Sequence, residues 1–168
     1  MDKKQADISE LESLVIEWQD RLFRFAYMRI GNREDAEDLI QETFLSLYNA
    51  IRVGKKIHDV GNYLFRSLSN ACISYYRKNP PPQIALEDAK ELAVEEQDRD
   101  IHQEFVRIHR LLDGLPKEQA ETLRMKCYDG LTFREIAEIE EIPEATVKSR
   151  YRYAITSLQK QLKQNKHD

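Results

Sequence analysis

Cysteine is nearly absent. Cys72 and Cys127 are the only two among 168 residues. They leave room for at most one disulfide and are read instead as small buried thiols of a cytoplasmic protein. No apolar run approaches the roughly 20 residues that a membrane-spanning helix needs. The opening "MDKKQADISELESL" lacks the apolar core of a signal peptide. Histidine is scarce too, and His58, His102, His109 and His167 do not pair with the cysteines at metal-ligand spacing. A glycine-rich phosphate loop and a nucleophile elbow are both missing. These absences leave no catalytic constellation, so the chain is not expected to be an enzyme, and no cofactor or metal is expected. Glycine and proline number five each and act as punctuation.

What the chain has in quantity is charge. Charged residues make up 33% and hydrophobic residues 41%, with net charge -4 and pI ≈ 5.7. The charge is uneven. Residues 1–77 hold 11 basic and 12 acidic side chains, and residues 101–168 hold 12 and 11. Residues 78–100 hold 3 basic and 7 acidic. The acidity is therefore concentrated in the middle, and the two near-neutral flanks can each carry local basic faces.

Periodicity predicts an all-α protein. Leu11, Leu14, Val15, Trp18, Leu22 and Phe25 recur at helical spacing and predict a first helix ending at Gly31-Asn32. Asn32 is a suitable N-cap for a second helix. Its apolar stripe is Ala36, Leu39, Ile40, Phe44, Leu47, Tyr48 and Ile51. "RVGKKIHDVG" reads as a loop. A third helix is expected from about Tyr63 to Lys78, with Leu64, Leu68, Ala71, Cys72 and Tyr75 inward. Together these make a small bundle over residues 1–78. "KNPPPQ" stops the third helix. Residues 79–100 read as a flexible acidic linker without aromatics. A second bundle over residues 101–168 begins with the stripe Ile101, Phe105, Ile108 and Leu112. Pro116 opens the next helix and Gly130 closes it. "TFRE" offers a capping box of Thr132 and Glu135 before a short helix.

Two short helices joined by three or four residues form a helix-turn-helix. The last helix, "EATVKSRYRYAITSLQKQL", carries Lys148, Arg150, Arg152 and Lys160 against one acid, Glu144. Its inward stripe is Val147, Tyr151, Ala154, Leu158 and Leu162. The opposite face shows Ala145, Lys148, Ser149, Arg152, Tyr153 and Thr156. Long cations and hydroxyls on the N-terminal half suit base edges in a major groove. Arg150 lies at the flank, within reach of a phosphate. An isolated helix with this face would be read as solvated surface; the preceding cap and turn favour DNA reading.

With those residues in view, "LDGLPKEQAETLRMKCYDGLTFREIAEIEEIPEATVKSRYRYAITSLQKQL" resembles the C-terminal domain of bacterial RNA polymerase sigma factors. "YMRIGNREDAEDLIQETFLSLYNAI" and "NYLFRSLSNACISYYRK" resemble their N-terminal, promoter-melting domain. Nothing matches the extra domain that larger sigma factors insert between these two, so the chain is similar to the extracytoplasmic-function (ECF) group. Two departures stand out. "EIEEIPEAT" has no glycine in the turn, and Tyr63 stands where tryptophan is frequent.

The resemblance implies core RNA polymerase, promoter DNA and an anti-sigma factor as partners. On the second helix, Asp35, Asp38, Gln41 and Glu42 form an acidic stripe, which by itself reads as a solvated face. The resemblance implies that it docks on a coiled coil of the polymerase clamp. On the third helix, Tyr63, Arg66, Asn70 and Arg77 share an outer face whose chemistry suits single-stranded DNA. Lys55 and Lys56 give the preceding loop a basic rim. The resemblance implies that this region melts the minus-ten element, and that Lys148, Ser149, Arg150, Arg152 and Tyr153 read the minus-thirty-five element. Two other readings stay open: a stand-alone helix-turn-helix regulator, and a sigma-like adaptor that binds polymerase without reading DNA.

Overall fold

The computed structural model describes residues 3–79 and 94–166. Most of the expected acidic linker lies outside the described residues, as does His167. Among the described residues there are α-helices and short helical turns but no strand, as periodicity predicts. None of these helices is long and apolar enough to cross a membrane. The chain divides into two compact units.

The first unit contains α1 (Lys3–Ile30), α2 (Arg33–Arg52) and α3 (Val60–Lys78). α1 packs against both of the others. Leu22, Phe25, Ala26 and Met28 of α1 are fully buried, as are Ala36 and Leu47 of α2 and Leu64 and Leu68 of α3. Gly31 leaves α1 at φ 73, a left-handed geometry that glycine adopts without a Cβ penalty. The Asn32 side chain then accepts from the Asp35 N–H at 3.0 Å, capping α2 as expected. α3 begins earlier than expected, at Val60, because the Asp59 carboxylate accepts from the Asn62 N–H at 2.9 Å. The early start places Gly61 inside the helix and against α1. A Cβ there would lie 2.7 Å from Cη2 of Trp18. Phe65, which the inward stripe of α3 omitted, is buried and meets Trp18 edge-on at 6.1 Å. Arg29 is also buried: its guanidinium donates to the Phe25 carbonyl at 2.8 Å and lies 3.4 Å over the Phe25 ring.

The second unit opens with a 3-10 turn, Glu96–Asp98, in which Asp98 is buried. There follow α4 (Arg99–Leu112), α5 (Lys117–Leu123), α6 (Phe133–Glu140) and α7 (Glu144–Asn165). Leu112, Leu115, Ala120, Leu123 and Ala154 form a core, lined by Ile108, Tyr151, Ile155 and Leu158. Leu162 does not join it. That side chain is 51% exposed, so the inward stripe of α7 ends at Leu158 and the last turns stand mostly in solvent. α5 widens into a π-type turn over Arg124–Tyr128. Cys127 sits on the outside of that turn and is exposed, whereas Cys72 is buried. Only one of the two thiols therefore packs as a core group. The Thr132–Glu135 capping box is present, each side chain bonding the other's backbone N–H at 3.1 Å.

Candidate nucleic-acid interface

The helix-turn-helix is built by α6, residues 141–143 and α7. α6 exits through Glu141, at φ 57 and ψ 45. The Ile142 N–H returns to the Ala137 carbonyl at 3.1 Å. Pro143 turns the chain into α7, and its carbonyl accepts from the Thr146 and Val147 N–H groups. Val147 and Ala154 are fully buried. That rotation turns Lys148, Arg152, Tyr153 and Thr156 to solvent, with Ser149 half-buried among them. Tyr153 is 63% exposed. Lys148 lies 3.6 Å from Glu144 on the same face, and both of these side chains are well exposed.

Arg150 is placed differently. Its guanidinium lies 3.5 Å from the Glu140 carboxylate, and both side chains are largely withdrawn from solvent. Sequence reasoning also passed over Arg134, in the first turn of α6, which is 81% exposed. Its guanidinium lies 3.4 Å from Glu138, one turn on along the same helix.

In the first unit, Arg66, Asn70 and Arg77 stand exposed on the outer face of α3. Tyr63 is partly covered. Its hydroxyl shares a 2.8 Å hydrogen bond with Ser46 of α2, and Lys55 of the loop lies 5.8 Å from its ring centroid. Lys56 is exposed beside it. The Tyr63 ring and the cations Lys55 and Lys56 thus stand together at the α2–α3 loop.

On α2, Asp38, Gln41 and Glu42 are exposed. Asp35 is not equivalent to them. It is half-buried and accepts a hydrogen bond from the Tyr75 hydroxyl at 2.7 Å. Burial, then the hydrogen bond from Tyr75 to Asp35 and the nearby carboxylate charge, push the Tyr75 phenol up to about 12. Leu45, one turn beyond Gln41 and Glu42, is 60% exposed. It lies outside the apolar stripe of α2, and that mismatch was the sequence signal for it.

The sigma-70 region 2 model matches residues 14–80, and the sigma-70 region 4 model matches residues 105–158. The ECF RNA polymerase sigma factor EcfG of Rhodopseudomonas palustris is 30% identical over 138 residues, covering 80% of this chain and 75% of that protein. The chain belongs to the ECF group of sigma factors. RNA polymerase sigma factor SigV of Bacillus subtilis is 24% identical over 162 residues, covering 96% of each chain. Among solved structures, CnrH in complex with the cytosolic domain of CnrY shares the fold at a TM-score of 0.67 and 20% identity, over 91% of this chain and 87% of that one. The sigma factor RpoE, in complex with the anti-sigma factor NepR from Bartonella quintana, gives 0.65 at 22% identity, over 92% and 97%. As an ECF sigma factor, the protein binds core RNA polymerase, recognises minus-ten and minus-thirty-five promoter elements and directs transcription initiation. The family match decides against a stand-alone regulator.

Proposed function

We propose a division of labour between the two units of this sigma factor. Residues 1–78 dock on polymerase and open the minus-ten element, and residues 101–168 read the minus-thirty-five element. The stretch between them tethers the two, except that Glu96–Asp98 and the start of α4 at Arg99, expected in the linker, are already folded into the second unit. On the second unit, Lys148, Ser149, Arg152 and Tyr153 meet the major groove. On the first, Tyr63, Arg66, Asn70 and Arg77 take the melted strand, with Lys55 and Lys56 on its phosphates. Asp38, Gln41 and Glu42 engage a basic surface of polymerase, with Asp35 at the edge of that contact. The observation that carries this reading is the face opposite buried Val147 and Ala154. It presents two cations, a hydroxyl and an exposed aromatic on the N-terminal half of a helix that follows a tight turn.

The factor adds no bond chemistry of its own and works in the cytoplasm with polymerase. Because the Bartonella quintana RpoE structure holds the anti-sigma factor NepR, an anti-sigma factor is the expected regulator here too. Net charge -4 fits weak duplex binding by the free chain, with specificity appearing only in the holoenzyme. Run-off transcription with core polymerase tests the reading. Polymerase plus this chain should initiate at promoters that polymerase alone ignores. Polymerase binding without promoter-dependent transcripts would instead support the adaptor.

A further inference from the structure

The turn between α6 and α7 is made without glycine. Glu141 occupies the left-handed region at φ 57, which disfavours any residue carrying a Cβ. One residue before it, Glu140 points its carboxylate at Arg150, with Oε2 3.5 Å from Nη1. The pair links the last turn of α6 to the second turn of α7. The two side chains are 18% and 30% exposed, whereas Lys148 is 54% exposed. A guanidinium held this way is committed before DNA arrives. Its bond to Glu140 also cancels a carboxylate at the turn, where an uncompensated negative charge would repel a phosphate backbone.

We propose that Arg150 is a positioning residue for promoter reading and not a phosphate contact. Through Glu140 it fixes how α7 leaves α6, and so where Lys148 and Arg152 meet base edges. The proposal rests on the reading of α7 as the recognition helix.

The two roles differ in what they do to affinity. A phosphate contact is blind to sequence. Removing it weakens every promoter alike and lowers the slope of log affinity against log salt by about 0.9. A positioning pair acts through base contacts, so removing it lowers discrimination and leaves the slope alone. An interhelical ion pair also tolerates exchange of its two charges, which a phosphate contact does not.

The experiment measures holoenzyme binding to duplex promoters with a matched or a scrambled minus-thirty-five element, across a salt series. Arg150→Ala and Glu140→Gln should each reduce the matched-to-scrambled ratio by about tenfold, with the salt slope unchanged. The double exchange, Glu140→Arg with Arg150→Glu, should restore the ratio to within about threefold of the parent. A fall in slope of about 0.9 for Arg150→Ala, with the exchanged protein binding worst, overturns the proposal. Thermal unfolding monitors each variant. Should the exchanged pair fail to fold, the near-isosteric Glu140→Gln still decides, because a phosphate-binding Arg150 would be unaffected or strengthened by it. Arg152→Ala separates the two levels. If it leaves the ratio intact, the reading of α7 fails and this proposal with it. If it lowers the ratio while Arg150→Ala does not, this proposal alone is wrong.

Discussion

The hydroxyl of Tyr75 donates to Oδ2 of Asp35 over 2.7 Å, tying the C-terminal half of α3 to the first turn of α2. The two residues are 40 positions apart in sequence, so the bond closes the bundle at the end opposite the α2–α3 loop. A hydrogen bond to a charged acceptor is stronger than a neutral one, but partial exposure weakens it, and about 1 kcal/mol is a reasonable net contribution. Tyr75→Phe should therefore lower the stability of the first unit by about that amount. The pH dependence has a definite sign. Burial and Asp35 raise the phenol from 10.0 to about 12 in the folded state. The neutral phenol is thus favoured by folding. Its stabilisation is complete below pH 10 and is lost as pH climbs from 10 through about 12. Denaturant unfolding of the parent and Tyr75→Phe across that window should show the difference between them shrinking. A constant difference would mean that folding does not raise the phenol at all.

Gly61 makes the second prediction. Trp18 ring atoms would lie 2.7, 3.2 and 3.3 Å from a Cβ at this position. Alanine is the better helix former by up to about 1 kcal/mol, and less than that in a first turn. Overpacking against a ring that packs edge-on to Phe65 costs about 1–3 kcal/mol. The clash should win, so Gly61→Ala should destabilise the unit by about 1–2 kcal/mol. Combining it with Trp18→Leu, which removes the ring, should be less damaging than the sum of the two single changes. Additive losses in thermal unfolding would show that the ring simply moves aside.

How much of this was legible beforehand depended on the range of the interaction. The helix-turn-helix followed from local chemistry: Thr132 and Glu135 are three residues apart, and their capping box reads directly from "TFRE". The stripe through Val147 and Ala154 likewise fixed which face of α7 turns outward. Asp59 was missed as a cap because the following Val-Gly pair looks like a loop; packing of Gly61 on Trp18 turns it into a helix start. Asp35 was grouped with Asp38 by spacing alone, and nothing local announces Tyr75 as its partner. Nor does anything local announce Glu140 as the ion-pair partner of Arg150. Its partner Glu140 lies across a turn whose left-handed residue, Glu141, is not one the sequence would suggest. Cys127 broke the expectation of a buried thiol because α5 widens into a π-type turn, which shifts the side-chain phase by one residue.

The third prediction separates the residues of α2. Asp38 and Glu42 are exposed, and exposed sites of this kind change stability by about ±0.5 kcal/mol at most when substituted. Asp38→Lys or Glu42→Lys should weaken holoenzyme assembly, measured by sedimentation or fluorescence anisotropy, while leaving the unfolding midpoint in place. Leu45→Ala should weaken assembly as well, since a 60% exposed leucine within a charged stripe gains about 1–2 kcal/mol from burial in an interface. Asp35→Lys should do something different: it breaks the Tyr75 bond and lowers stability first. Unchanged assembly for all of Asp38→Lys, Glu42→Lys and Leu45→Ala would remove this face of α2 from the polymerase contact.

The last prediction concerns Tyr63. Its hydroxyl is held by Ser46 at 2.8 Å, and Lys55 lies 5.8 Å from its ring centroid. The hydroxyl therefore orients the ring, and the ring is the surface on which an unstacked base can rest. Stacking of this kind contributes about 1–3 kcal/mol per base, which is roughly 5- to 150-fold in an opening equilibrium. Tyr63→Phe keeps the ring and loses only the tether to Ser46, so it should open promoters nearly as well as the parent. Tyr63→Ala removes the platform and should reduce transcription from duplex promoters by about tenfold or more. On templates whose minus-ten region is already mispaired, no unstacking is needed, and most of that loss should vanish. Transcription by holoenzyme on matched and mispaired templates measures both effects. Equal losses for Tyr63→Ala on the two templates would show that the ring holds DNA, or the fold, without taking part in opening.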